Sequence, residues 1–127
     1  MEKIINITAG EKLNCLLKET HKGAFIPFNE AMILGKFSAP LFSEKFLEER
    51  ANAHNVSLAS YKKTMKEFLN LLTGLNDYKK IVLWFGKEPF CLENLKIVRQ
   101  TLKDYGFKGE IETHFVDETT GKIIKKE

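Results

Sequence analysis

Three glutamates follow short apolar runs of the sequence. Glu11 follows "IINITAG", Glu30 follows "GAFIPFN" and Glu88 follows "KIVLWFGK". Apolar runs of this length predict buried strands, and ligands of open parallel sheets bind at the carboxyl ends of the strands. Carboxylates gathered there can hold Mg²⁺, accept a ribose hydroxyl or share a proton. The alternative is that each glutamate is a solvated acid that begins a helix or loop, where the helix dipole favours it.

Two glycines and a lysine accompany these acids. Gly10 and Gly86 end the first and third apolar runs, and Lys12 follows Glu11. Glycine lets the backbone approach a ligand closely, and the N-terminus of the next helix offers N–H groups to an anion. This pattern predicts a site for a small polar or phosphorylated molecule over the two glycines, Glu11 and Glu88. No cofactor is identified, because "TAGEKLN" has one glycine where a dinucleotide fingerprint needs three.

Two further polar residues are expected on apolar helix faces. Arg50 lies on the same side of its helix as Phe46, so its guanidinium needs a partner. That partner is either Glu30 or another acid in a structural ion pair, or a phosphate or carboxylate of the ligand. Asn94 falls in the apolar sector of its helix, and a buried amide must be hydrogen-bonded. It either ties the loop of the first strand to this helix or faces the ligand.

The predicted ligand-binding set therefore comprises Gly10, Glu11, Lys12, Glu30, Arg50, Gly86, Glu88 and Asn94. No catalytic residue is assigned, because the sequence shows no recognisable Ser-His-Asp or Cys-His order. No metal site is assigned either, since the three histidines lack the spacing of metal ligands.

The order of apolar and amphipathic segments predicts how these residues are positioned. Short strands are expected at "IINIT" and "AFIP", two helices capped by Ser43 and Ser57, a strand at "KIVLWF", a helix from Pro89, and strands at "EIETHFV" and "KIIKK". The second serine-capped helix should run to Gly74. This order predicts an α/β fold: one Rossmann-like, three-layer domain over residues 1–127, with a mainly parallel sheet and a short C-terminal antiparallel edge strand. The continuous apolar run "KIVLWF" predicts a strand buried on both faces beside the first strand.

Composition limits the partners. The chain has 127 residues and a net charge of +3, and it lacks the basic stripe of a nucleic-acid interface. No apolar run approaches the roughly 18 residues of a membrane span, so a membrane is not expected as a partner. The two cysteines, Cys15 and Cys91, form no CxxC pair, which indicates a reducing, cytoplasmic compartment.

Nearly the whole chain resembles a bacterial family known as domain of unknown function 1835. The resemblance lies in "INITAGEKLN", "FIPFNEAMILGKF", "FLEERANAH" and "VLWFGKEPFCLENL". By this resemblance, members of the family often have aspartate at the positions of Glu11, Glu30 and Glu88. They have serine at the position of Lys12 and commonly glutamine at that of Leu92. Longer carboxylates and the loss of two neutral hydrogen-bonding groups imply a different ligand or none. The family name carries no activity, and these departures weigh against catalysis.

Three functions are compatible with these residues. The first is a small-molecule binding module at the carboxyl ends of the parallel strands. The second is a non-catalytic interaction domain, including a homodimer, that pairs through the edge strand or the long apolar loop "MILGKFSAPLF". The third is a metal-dependent hydrolase or nuclease with Glu11, Glu30 and Glu88 as Mg²⁺ ligands.

Overall fold

The computed structural model describes residues 3–127 as one five-stranded sheet with helices on both faces. Its elements are β1 (Ile4–Thr8), α1 (Glu11–Thr20), β2 (Ala24–Pro27), α2 (Glu44–Ala53), α3 (Leu58–Thr64), α4 (Lys66–Thr73), a 3₁₀ turn (Leu75–Asp77), β3 (Lys80–Phe85), α5 (Pro89–Asp104), β4 (Glu110–Val116) and β5 (Ile123–Lys126). The strand order is β2-β1-β3-β4-β5. β1 to β4 are parallel, and β5 is antiparallel to β4. The predicted α/β fold with a mainly parallel sheet and an antiparallel C-terminal edge strand is confirmed.

The predicted pairing of β1 with β3 is also confirmed. The two strands are parallel, with Ile4 opposite Lys80 and Thr8 opposite Trp84. In β3 every residue after Lys80 is buried, as expected for a strand covered on both faces. The chain passes from β1 to β2 on one side and from β3 to β4 on the other. The carboxyl ends of β1 and β3 therefore form the topological switch point of the sheet, where such folds bind ligands.

Side chains of alternate strand residues build two cores, one on each face of the sheet. The larger core joins β1 and β3 to α2, α3, α4 and α5 through residues such as Ile7, Phe46, Phe68, Leu83 and Leu102. The smaller core, on the other face, consists of Leu13, Leu17, Phe25, Val82, Trp84 and Val116. α1 is the helix that contributes to this smaller core, and it packs against β1 and β2. On this face, α1 therefore covers β1 and β2 more fully than it covers β3 and β4.

The helices that follow β2 begin as predicted, and the second ends at Gly74 as predicted but is interrupted on the way. Ser43 Oγ accepts a hydrogen bond from Phe46 N at 3.2 Å, and Ser57 Oγ accepts one from Ser60 N at 3.0 Å. The helix expected to run from Ser57 to Gly74 is instead two helices, α3 and α4, separated by Met65. The backbone of Met65 has φ −94° and ψ 6°, although its O still accepts from Leu69 N. The change of backbone angles is confined to Met65. It leaves the helical spacing of the apolar residues intact, so the sequence pattern does not reveal the interruption.

The long loop between β2 and α2 has both buried and exposed apolar residues. Met32, Leu41 and Phe42 are buried in the larger core, whereas Ile33 and Leu34 are more than half exposed. The loop therefore packs some of its apolar residues into the core and leaves others at the surface.

Candidate functional site

The structure distributes the eight predicted residues over three separate places. Gly10, Glu11 and Lys12 lie at the start of α1, Gly86 and Glu88 form the turn from β3 into α5, and Glu30, Arg50 and Asn94 are buried. Within residues 3–127, the group of acidic, cysteine or histidine side chains that converges closely enough to hold a metal is Glu88, Cys91 and Glu118. The predicted gathering of Glu11, Glu30 and Glu88 is therefore not found, because Glu30 turns into the core.

Glu30 is the centre of a buried hydrogen-bond network. Arg50 donates from Nε to Glu30 Oε2 at 3.0 Å and from Nη2 to Oε1 at 2.9 Å. Tyr61 donates its hydroxyl to Oε2 at 2.5 Å, His54 bonds Oε1, and the Ala31 N–H donates to Oε1 at 2.7 Å. The side chains of Glu30 and Arg50 are both 0% exposed. Of the two alternatives for Arg50, the structural ion pair is the one observed.

The charges of this network are fixed by its hydrogen bonds. Burial alone raises the pKa of the Glu30 carboxyl, but the hydrogen bonds from Arg50, Tyr61 and His54 outweigh burial and hold the pKa below its ordinary value. Burial opposes the charge of Arg50, and the contact with Glu30 overcomes it and raises the Arg50 pKa. Burial and Glu30 both raise the pKa of Tyr61, so its hydroxyl stays a neutral donor.

Asn94 belongs to the same buried frame. Its Oδ1 accepts from Met32 N at 2.8 Å, and its Nδ2 donates to the Glu30 carbonyl oxygen at 2.6 Å. Asn94 thus ties α5 to the loop after β2, and not to the loop after β1, which was one of its two predicted roles. The guanidinium of Arg50 secures the same loop by donating to the carbonyl oxygens of Ala31 and Lys36. These three predicted residues hold the loop in place.

Acidification should weaken the fold through Glu30. Because the folded-state pKa of Glu30 is lower than its ordinary value of 4.5, its stabilising contribution is complete above that pH and is lost as the pH falls through the folded-state value. Urea unfolding between neutral and acidic pH should show a steeper loss of stability in the wild type than in Glu30→Gln. Glu44→Gln, which alters an exposed carboxylate, should keep the wild-type slope. Identical pH profiles for wild type and Glu30→Gln would contradict this assignment.

The turn at Gly86 is occupied by the protein's own carboxylates. A Cβ at Gly86 would lie 2.8 Å from Glu88 Oε2 and 3.0 Å from the Glu118 side chain. Cys91 is 1% exposed beside them, and its burial together with Glu118 raises the pKa of the thiol to about 12. A thiol in that state is a poor nucleophile. The three side chains are close enough to hold a cation, but the glycine makes room for carboxylates and not for a ligand.

At the start of α1, in contrast, Glu11 lines a cleft. Gly10 is the N-cap residue with φ 114°, it contributes no side-chain cap, and a Cβ there would meet nothing within 4 Å. The cleft has a volume of about 500 Å³ and lies at the carboxyl ends of β1 and β2. Its lining consists of Glu11, Pro27, Asn29, Lys63, Thr64, Lys66 and Glu67.

Two asparagines, Asn29 and Asn14, make hydrogen bonds close to the start of α1. Asn29 Nδ2 lies 3.4 Å from both Glu11 Oε2 and the Thr64 carbonyl oxygen, so it links α1 to the end of α3. Thr8 Oγ1 donates to Asn14 Oδ1 at 2.9 Å and lies 3.3 Å from the Gly10 carbonyl oxygen. Asn14 Nδ2 is buried and has no hydrogen-bond partner in the part of the chain that the structure describes. Buried donors without a partner are uncommon in folded proteins.

Sequence reasoning missed several residues of these places. Lys63 and Lys66, which are exposed and line the cleft, were not among the predicted residues. Glu118, in the segment between β4 and β5, was not among them either. For Glu118 the available signal is topological, because its segment follows the carboxyl end of β4.

The fold and its switch point define the class of the protein: an α/β protein with an open, doubly wound sheet. Comparison of the chain with protein-family models, with curated proteins and with solved structures found no match. The resemblance described above therefore stays a prediction. None of the helices within residues 3–127 has the length and apolar character needed to cross a membrane.

Proposed function

We propose that this protein is a binding module for a small phosphorylated molecule with free hydroxyl groups, such as a sugar phosphate. The observation that carries the proposal is the uncapped N-terminus of α1, whose first residue, Glu11, lines a cleft together with Lys63 and Lys66. In the same proposal the chain is a divergent relative of the bacterial family that it resembles. It is also cytoplasmic, in keeping with its free cysteines, Cys15 and Cys91.

The start of α1 supplies the anion-binding part of the site. The first N–H groups of an α-helix have no acceptor within the helix, and Gly10 brings no side chain to cap them. The helix dipole favours a negative group at this end. Lys63 and Lys66 add two exposed positive charges to the same cleft. A phosphate group matches this combination of backbone donors and cations.

The acidic and amide groups of the cleft supply the selectivity. Glu11 is exposed at the first position of α1, and Asn29 holds its carboxylate at the mouth of the cleft. A carboxylate repels an isolated phosphate but accepts hydrogen bonds from hydroxyl groups. A ligand with a phosphate at one end and hydroxyl groups at the other satisfies both halves of the lining.

Binding is favoured over catalysis because Glu30, one of the three carboxylates that the metal-dependent hydrolase would need, is held in the core. Both oxygens of Glu30 already accept hydrogen bonds from Arg50 and from further donors. The second candidate function is a protein-interaction surface, which the exposed Ile33 and Leu34 of the long loop favour.

Calorimetric titration with ribose 5-phosphate and with inorganic phosphate tests the proposal. The wild type should bind ribose 5-phosphate with a Kd of about 1 mM or tighter, and Lys66→Ala should weaken binding of both probes about tenfold. Glu11→Gln should weaken binding of ribose 5-phosphate and strengthen binding of phosphate, because it removes both a hydroxyl acceptor and a repulsive charge. Lys18→Ala, which removes an exposed lysine from the other end of α1, should bind as the wild type does. Equal affinities for wild type and Lys66→Ala, or no binding of either probe, would reject the proposed site.

A further inference from the structure

A second cavity lies on the opposite face of the sheet from the buried Glu30 network. It has a volume of about 460 Å³ and lies beside the C-terminal end of α1, where that helix leaves β3 and β4 less covered. Its lining is mostly apolar and includes Ile4, Asn6, His21, Trp84, His114 and Ile123. It shares no lining residue with the cleft at the start of α1.

Flat rings form the floor and one side of this cavity. Trp84 is 4% exposed, and its Nε1 donates to Asn6 Oδ1 at 2.9 Å, which fixes the indole in place. The His114 ring meets the indole edge-to-face at a centroid distance of 4.4 Å, and the His21 ring does so at 5.1 Å. Such a preformed aromatic slot suits another planar ring.

His114 carries an unmet hydrogen-bonding group into this lining. The side chain is 8% exposed, and its Nε2 bonds the Glu112 carboxylate. Its Nδ1 is buried without a hydrogen-bond partner among residues 3–127. A buried polar atom without a partner costs free energy, and rotation about χ2 of a histidine is soft. Because His114 lines the cavity, a turn of the ring, which loosens the contact of Nε2 with Glu112, can bring Nδ1 to an occupant.

A carboxyl group can pair with Nδ1 in either protonation state of the ring, and the charges around the cavity favour it over a neutral group. The neutral ring, with its proton on Nε2, accepts from an undissociated acid, and the protonated ring donates to a carboxylate. The exposed Lys22 and Lys126 also line the cavity and favour a negative charge there. The carbonyl end of α1 opposes this charge only weakly, because the His21 N–H and the Thr20 hydroxyl bond its carbonyl oxygens.

We propose that this cavity binds a small aromatic carboxylic acid, whose ring packs on Trp84 and whose carboxylate lies among His114, Lys22 and Lys126. This site is independent of the proposed sugar phosphate site, since the two lie in different cavities and use different residues.

Tryptophan fluorescence tests the inference directly, because Trp84 is the single tryptophan of the chain. Titration of the wild type with benzoate should change the Trp84 emission in a saturable way, and benzamide, its uncharged analogue, should bind about tenfold more weakly. Lys22→Ala with Lys126→Ala should reduce benzoate affinity about tenfold and leave benzamide unchanged. Lys103→Ala, which changes an exposed lysine on α5, should match the wild type.

His114→Phe separates the role of the imidazole from that of the lysines. It keeps a ring beside Trp84 and removes Nδ1, so it should weaken binding of benzoate and of benzamide by a similar factor and leave the preference for benzoate in place. If that variant does not fold, the lysine variants still decide, because both lysines are exposed. A linear, unsaturable change in emission, or equal binding of benzoate and benzamide by the wild type, would overturn the proposal. If the protein sedimented as a dimer and benzoate left the Trp84 emission unchanged, the proposal would be overturned in favour of contact between this face and a second copy of the chain.

Discussion

Replacing Arg50 by methionine should lower the free energy of unfolding by about 3–5 kcal/mol, because it leaves a buried charge without its partner. Glu30 is 0% exposed and receives two hydrogen bonds from the guanidinium. Urea unfolding at neutral pH measures the effect. Lys62→Met is the matched control, since it removes a cation from an exposed pair with Glu44, and such pairs contribute at most about 1 kcal/mol.

A double variant separates the lost pair from lost packing. In Glu30→Gln with Arg50→Met, no charge is left unpaired, so the double variant should be more stable than Arg50→Met alone. If Arg50→Met cost no more than Lys62→Met, Arg50 would not be the structural partner of Glu30. Arg50 would then again be a candidate for binding a ligand.

Replacing Gly109 by alanine should cost about 3 kcal/mol, at the upper end of what overpacking usually costs. A Cβ at Gly109 would lie 2.3 Å from the Lys79 carbonyl oxygen and 2.5 Å from the Phe107 ring. The same carbonyl oxygen accepts from Glu110 N at 2.9 Å, so relief of the clash would disturb the entry of β4 into the sheet. Backbone atoms cannot move aside as a flexible side chain can.

Gly106→Ala is the control for backbone conformation alone. Gly106 has φ 77°, and a Cβ there would meet nothing within 4 Å, so the expected cost is about 1–2 kcal/mol for a left-handed alanine. Thermal unfolding of both variants gives the comparison. Equal melting temperatures would show that the contact with Lys79 yields easily, contrary to the geometry.

The fold was predictable because its signals are local. The uninterrupted apolar run of β3 identified a strand buried on both faces, and the serines at residues 43 and 57 marked two helix starts. The turn at Met65 was not predictable, since a change of backbone angle at one residue leaves the helical spacing of apolar residues unchanged.

The site was predictable only in part, because side-chain direction in loops has no period. Glu30 follows β2 as expected, but whether it faces the sheet edge or the core depends on Arg50 and Tyr61, which are 20 and 31 residues away. Asn94 was correctly expected to be buried and hydrogen-bonded, and its partner is the loop after β2, which neither of the two predicted alternatives named. Contacts between distant segments decide such details, and a single sequence does not display them.

The most direct test of the central claim is to follow the backbone amide signals of the protein by NMR while ribose 5-phosphate is added. Binding at the cleft should shift the amides of residues 10–13, where α1 begins, together with those of Asn29 and Lys66, which lie across the cleft. The amide signals of Met32 and Asn94 should keep their chemical shifts, because the buried hydrogen-bond network around Glu30 takes no part in binding. Shifts centred on Gly86 and Glu88, with none at residues 10–13, would contradict the proposed site.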